Sequence, residues 1–414
     1  MNILSDILII GGGIVGLSLA IELKLRGANV TVLTRDFQQA ATHAAAGMLA
    51  PQAEQLPPSP MLDLCLRSRA LYPDWTNKLE QITGTPTGFW PCGILSPAYD
   101  IQERASNISS EQKFSGKSPV SIWLDKEAIH QHQPGLSSEV VGGWWYPEDG
   151  QVDNRALAIT LWAAAQQLGI HICEGVNVEE IQTQNKQVIG VKTSAGDWQA
   201  QQYIFATGPW SNQLLPVPVY PKKGQMLSVR VPLPSLASPP SPEGKECFLS
   251  SPSLTTEKVS SFSSLPLTVG PEGSLPLKQV LFGSEIYIVP RRDGRIIIGA
   301  TSEDVGFAPY NTTGGIQALL ARAIRLYPEL QHFPIQELWW GFRPTTPDEL
   351  PILGGSAYDN LTLATGHYRN GILLAPITAF LIADVILEQK HDPLLNHFHY
   401  SRFSNTQRYR SREI

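Results

Sequence analysis

Gly11, Gly13 and Gly16 stand in a Gly-x-Gly-x-x-Gly spacing directly after the apolar run Ile7, Leu8, Ile9, Ile10. The chemistry such glycines serve is phosphate recognition. Residues without a Cβ allow a tight turn and a close backbone approach, so a pyrophosphate can rest on amide N–H groups at the positive end of the next helix. The surroundings required for that reading are present. A short β-branched run reads as a strand buried on both faces, and Ile14, Leu17, Leu19, Ile21 and Leu25 then give a helix its apolar face. Gly27 stops that helix before a second strand through Val30, Val32 and Leu33. This is one βαβ unit of a dinucleotide fold. One position departs from the pattern: where an acid ordinarily holds the ribose hydroxyls, the chain has Thr34, followed by Arg35 and Asp36. Taken locally, Arg35 without an acid also suits NADP.

Two later turns return to the same theme. A strand ending near Phe205 runs into Ala206, Thr207 and Gly208, and a strand over 361–365 runs through Gly366, His367, Tyr368, Arg369, Asn370 and Gly371 into an apolar helix over 372–387. That helix points another N-terminus at the presumed cleft. Ahead of these lies a run of small residues over 44–51. Packed helix starts use such runs, and so do backbones that let a large flat ring lie close.

At 414 residues, with 42% hydrophobic and 16% charged residues, the chain can bury a large core and divide into two domains. A net charge of −6 provides no basic field for nucleic acid or anionic lipid, so a small-molecule partner is expected. The N-terminal apolar run has no basic region before it and is interrupted by glycines, unlike a signal peptide or a membrane span. Cys65, Cys92, Cys173 and Cys247 have neither metal spacing nor a framework pattern, which suits a reducing cytoplasm.

Periodicity divides the chain into a discontinuous nucleotide-binding unit over 1–85, 153–215 and 339–390, and a second, sheet-built unit over 86–152 and 216–338. Helices are expected over 61–83, 154–168 and 314–327, and strands over 178–181, 188–193 and 198–205. A Ser/Pro-rich insertion over 232–277 and a polar tail over 397–414 are expected to pack little.

Five separated stretches carry a more specific signal: the glycine loop, Ala44-Ala-Ala-Gly-Met-Leu-Ala-Pro51, Ala206-Thr-Gly-Pro-Trp-Ser211, Gly341-Phe-Arg-Pro-Thr-Thr-Pro-Asp348 and Gly366-His-Tyr-Arg-Asn-Gly-Ile-Leu-Leu-Ala-Pro376. Together they resemble the FAD-dependent D-amino-acid oxidase superfamily, and most closely the glycine oxidases of thiamine (thiazole) biosynthesis. The resemblance runs from residue 3 to about 390 apart from the insertion, and it favours FAD over NADP. It implies an α/β fold with a Rossmann-like, discontinuous FAD-binding domain and an α+β antiparallel-sheet substrate domain. It also implies FAD contacts from Gly11, Gly13, Ile14, Val15, Gly16, Thr34, Arg35, Thr42, His43, Gly47, Met48, Leu49, Val178, Thr207, Gly208, His367, Tyr368, Arg369, Asn370, Gly371, Ile372 and Leu373. Related sarcosine oxidases tether their flavin through a cysteine near the equivalent of 341–348; none stands there, so noncovalent FAD is expected.

The chemistry implied by the resemblance needs few protein groups. A guanidinium suits bidentate binding of an amino-acid carboxylate, with Arg343 first in line, Arg369 second and Tyr287 closing the site. Hydride passes from Cα of the neutral amine to flavin N5, and no acid–base side chain is required. Oxygen then gives H2O2, and the imine hydrolyses to glyoxylate and ammonia or serves thiazole formation, which makes thiazole synthase a partner. His367 and His43 are read as structural hydrogen-bonding residues, and Trp339 and Trp340 as core or seam residues. Two other readings stay open: a flavin D-amino-acid dehydrogenase passing electrons to a quinone, and a flavin-binding scaffold subunit that docks through the insertion. Glycine, sarcosine and D-alanine differ by single methyl groups, worth about 1–3 kcal/mol each, so sequence leaves the preferred amine undecided. The family suggests a homo-oligomer.

Overall fold

The computed structural model describes residues 5–102, 121–232 and 275–403. The insertion expected over 232–277 and the final part of the tail, 404–414, lie almost wholly outside the described residues. The β-branched run forms the centre of a six-stranded sheet. Ser5–Ile10 lies between Val30–Thr34 and Ala200–Phe205; His171–Glu174 extends the sheet on one side, Leu361–Thr365 and then Ile352–Gly355 on the other. Neighbours run parallel except at the Ile352–Gly355 edge. A period of two sends successive side chains of the first strand into different cores. Ile7 and Ile9 pack with residues of the helices Ile14–Leu25, Pro60–Thr83, Asn154–Gln167 and Gly371–Glu388. Leu8 and Ile10 pack with Val188, Val191 and Trp198 of a three-stranded antiparallel sheet. The strand is thus buried on both faces, with helices covering one and a small sheet the other. The stretch read as one strand over 198–205 divides between the two sheets, as Gly196–Trp198 and Ala200–Phe205.

Gly371–Glu388 is long and apolar enough to cross a membrane, yet most of it is buried inside the protein. It packs against Ile14–Leu25 and Pro60–Thr83, at the middle of the helical layer. Composition of that kind marks the central helix of a core as readily as a span.

A second, eight-stranded sheet runs in the order Ile335–Thr345, Tyr220–Arg230, Arg295–Gly299, Tyr287–Pro290, Val280–Phe282, Ile94–Ala98, Gly142–Tyr146, Ile122–Asp125. One face buries Leu319, Ala323 and Leu326 of the helix Thr313–Leu326. The opposite face brings Met226, Val289, Ile297 and Trp339 against Ala46, Ala50 and Ala53 of the alanine-rich segment. Small residues at that seam let this segment lie close against the sheet: a Cβ on Gly341 would lie 2.2 Å from Ala44 Cβ.

Three expectations change. Residues 339–345, placed with the nucleotide unit on sequence, pair with Tyr220–Arg230 along nearly their whole length and so belong to the second sheet. Backbone hydrogen bonding along an eleven-residue strand outweighs the proximity of this segment in sequence to Gly366. The tail is packed at its start: Phe398 is fully buried, and its carbonyl accepts a hydrogen bond from Leu353 N at 2.9 Å. Trp339 is a seam residue whose Nε1 donates to Ala44 O at 3.2 Å, whereas Trp340 is 38% exposed on the alternate face of the same strand.

Candidate active site

A cavity of about 480 Å³ opens where the chain leaves the C-terminal ends of the parallel strands. Ser5–Ile10 is the switch point of the strand order, with Val30–Thr34 on one side and Ala200–Phe205 on the other, and open α/β sheets bind ligands there. Two glycines make the turn possible. Gly11 has φ +114°, and a Cβ on it would lie 2.3 Å from Ala206 O. A Cβ on Gly16 would lie 1.9 Å from Gly11 O, so the helix can cross the turn only without one. The first-turn amide of Ile14 donates to Thr42 Oγ1 at 3.0 Å, which places a hydroxyl beside the glycine loop. A helix N-terminus with a backbone cradle free of side chains fits a pyrophosphate.

The wall beyond that loop explains what stands in place of the missing acid. Thr34 lies so close over Gly12 that a Cβ there would meet its Oγ1 at 2.8 Å. The Arg35 guanidinium sits 4.8 Å over the ring of Trp210, which stacks on Phe307 at 5.6 Å. Asp36 Oδ1 accepts from Gln38 N and Gln39 N, at 2.8 and 3.3 Å, and so turns its own loop. Thr34 and Asp36 both line the cavity at the position where the acid ordinarily stands.

The other end of the cavity is built by the second sheet. Opposite Arg343 in the ladder is Lys222, and the Arg343 guanidinium lies across Gly224, where a Cβ would meet both terminal nitrogens at 2.6 Å. Its Nη1 donates to Thr301 O at 3.1 Å. Among the described residues no carboxylate lies within salt-bridge reach of it. Tyr287, across the sheet from Gly299, brings its hydroxyl to 3.7 Å from Met226 Sδ. Burial pushes that phenol up, and the Arg343 charge opposes the shift. Arg369 reaches in from the turn before Gly371–Glu388 and lies 3.5 Å from Glu54 Oε1.

The structure gathers most of the residues expected at the cofactor onto this one cavity: Gly11, Gly13, Ile14, Val15, Thr34, Arg35, Thr42, Gly47, Met48, Val178, Thr207, Gly208, and 367–372, together with Arg343 and Tyr287. Four do not line it. Gly16 acts from behind through helix packing, and Leu49 and Leu373 are buried in the helical core. His43 turns away to meet Phe37 edge-on at 4.6 Å. Sequence reasoning missed Glu54 and Trp210. Glu54 had a signal, as the only acidic or basic residue besides His43 between Phe37 and Leu62. Among the described residues no cysteine lines the cavity.

His367 borders the cavity but is fully buried, with Nε2 3.1 Å from Thr378 Oγ1. Burial lowers it from the ordinary 6.5 to about 4, so the ring is neutral throughout the working range. Between those two values the unfolded chain binds a proton that the folded chain refuses. Stability therefore falls as pH drops from about 6.5 toward 4, by about 3 kcal/mol. Urea unfolding at about pH 7 and pH 4.5 should show a pH-dependent loss smaller by about 2 kcal/mol in His367→Asn than in the natural protein. Equal losses would contradict a buried neutral ring.

A family model described as FAD dependent oxidoreductase (DAO) matches residues 6–253 and 253–385. The chain is 60% identical over 398 residues to the bifunctional protein ThiO/ThiG of Trichormus variabilis, an alignment covering 96% of this chain and 55% of that one. It therefore spans about half the length of that relative. It is 32% identical to the glycine oxidase of Geobacillus kaustophilus over 92% of both chains. The crystal structure of glycine oxidase from that organism superposes with a TM-score of 0.81 at 30% identity, covering 97% of this chain and 99% of that one. The fold, the cradle and these matches agree: the chain belongs to the DAO family of FAD-dependent oxidoreductases.

Proposed function

We propose that the protein oxidatively deaminates glycine, and related small amines such as sarcosine or D-alanine, with noncovalent FAD. The observation that carries this is the end of the cavity remote from the glycine loop. There a guanidinium without a carboxylate partner, Arg343, stands beside a phenol, Tyr287, in a pocket walled by Met226, Gly299 and Gly341. A planar guanidinium fork binds a carboxylate in two places, and the phenol hydroxyl donates a third hydrogen bond. Gly224 and Gly299 make room for the Arg343 guanidinium and the Tyr287 ring, which lie directly over them.

Bound FAD supplies the two-electron acceptor for the hydride leaving the substrate Cα. The chain's part is orientation: Arg343 and Tyr287 fix the carboxylate, and the Cα–H bond is held in one direction. No side-chain base is used, in keeping with the neutral, buried His367. The overall reaction balances as glycine, O2 and water giving glyoxylate, ammonia and H2O2. In the cytoplasm, where thiols stay reduced, a thiazole synthase would be the partner consuming the imine; relatives bearing the ThiO/ThiG name support that pairing.

Assay of the purified protein with each of the three amines should give one H2O2 per amine consumed, fastest with the preferred substrate. Amine oxidation that proceeds with a quinone but yields no peroxide would transfer the protein to the dehydrogenase class.

A further inference from the structure

We infer that Glu54 is the recognition residue for the substrate ammonium group, at the same end of the cavity as Arg343. The inference rests on the reading that the substrate is an amino acid. Three acidic residues line the cavity, and two are committed elsewhere. Asp36 is at the nucleotide end and caps its own loop. Glu285 is 66% exposed and pairs with Arg322 at 2.9 Å. Glu54 is 13% exposed, at the end that holds Arg343, Arg369 and Tyr287. Its carboxyl is raised by burial, and the charges of Arg369 and Arg343 oppose that rise.

The sequence of charges supports the assignment. With the substrate carboxylate on Arg343 and its ammonium toward Glu54, positive and negative groups alternate: Arg343, carboxylate, ammonium, Glu54, Arg369. Glu54 pairs with Arg369 at 3.5 Å and also borders the cavity, so its carboxylate can face a cationic group there. A second cavity of about 530 Å³ shares Glu54, Phe282, Tyr368, Arg369 and Asn370 with the first, so Glu54 stands at the neck between the two. An amino acid arriving from that side meets the Glu54–Arg369 pair before it meets Arg343. The ammonium then releases one proton to water, leaving the neutral amine for the hydride step.

The test uses the FAD-loaded protein and two unreactive halves of glycine, methylammonium and acetate, titrated anaerobically while following the flavin absorbance change. Glu54→Gln should weaken methylammonium at least about 10-fold and leave acetate as tight or tighter, because a negative charge next to Arg369 is gone. Glu54→Asp, which keeps the charge, should recover most of the methylammonium affinity and covers the case in which Gln leaves Arg369 too poorly paired to fold well. Unchanged methylammonium binding, absence of methylammonium binding to the natural protein, or equal weakening of both probes would overturn the assignment. Glycine turnover is read separately, so failure of the oxidase reading shows there and failure of the Glu54 role shows in the two probes.

Discussion

Arg343→Ala is expected to lower kcat/KM for glycine about 100-fold or more, chiefly through KM. Removing one partner of a buried, hydrogen-bonded charge pair costs roughly 2–5 kcal/mol, and about 1.4 kcal/mol is a factor of ten. The Arg343 side chain is fixed in place before any substrate arrives. Gly224 leaves the space its guanidinium occupies, and Thr301 O takes one of its donors. Arg343→Lys should recover only part of the loss, since an ammonium offers a point charge where the fork offers two aligned donors. Arg369→Ala should cost less, because Arg369 is 43% exposed and paired with Glu54. Steady-state kinetics on the three variants decide the matter, and an unchanged KM in Arg343→Ala would refute the carboxylate assignment.

The second large effect is expected at Gly16. Gly16→Val would place side-chain atoms where even a Cβ comes within 1.9 Å of Gly11 O, a backbone atom that cannot swing aside. Either the helix Ile14–Leu25 moves off the turn or the turn opens, and both disperse the amides that face the pyrophosphate. The purified variant should carry less than about a tenth of the natural flavin per chain and lose stability on the roughly 1–3 kcal/mol scale of an overpacked core. Gly314→Ala is the control: nothing lies within 4 Å of its added methyl, and glycine in a helix costs about 0.5–1 kcal/mol relative to alanine. It should keep its flavin and match or exceed the natural melting temperature. A Gly16→Val protein with full flavin content would contradict the role given to this close contact.

What could be read from sequence followed from local physics. The strand-turn-helix around Gly11 needs only neighbours in the chain, and the alternation that buries both faces of Ile7 to Ile10 is visible in residue type. Sequence did not reveal that Ile335–Thr345 would find its ladder along Tyr220–Arg230, more than a hundred residues earlier, since register between distant strands leaves no local mark. The same reason hid the functional placing of Gly224 and Gly299, which matter only because Arg343 and Tyr287 cross over them from other strands. Arg343, Arg369 and Tyr287 were singled out through family resemblance rather than spacing, and all three line the cavity. His43, Leu49 and Leu373 sit among residues that line the cavity yet point into the core, a distinction set by side-chain direction and not by position in the chain. Glu54 stood out only as a lone charge in an uncharged stretch, and its pairing with Arg369 exists only in the folded chain.

The most direct measurement is an anaerobic titration of the FAD-loaded protein with glycine, following flavin absorbance and then admitting air. Glycine is expected to bleach the flavin, and air to return the colour with release of one H2O2 per flavin. A flavin left yellow by glycine, sarcosine and D-alanine alike would contradict an amino-acid oxidase.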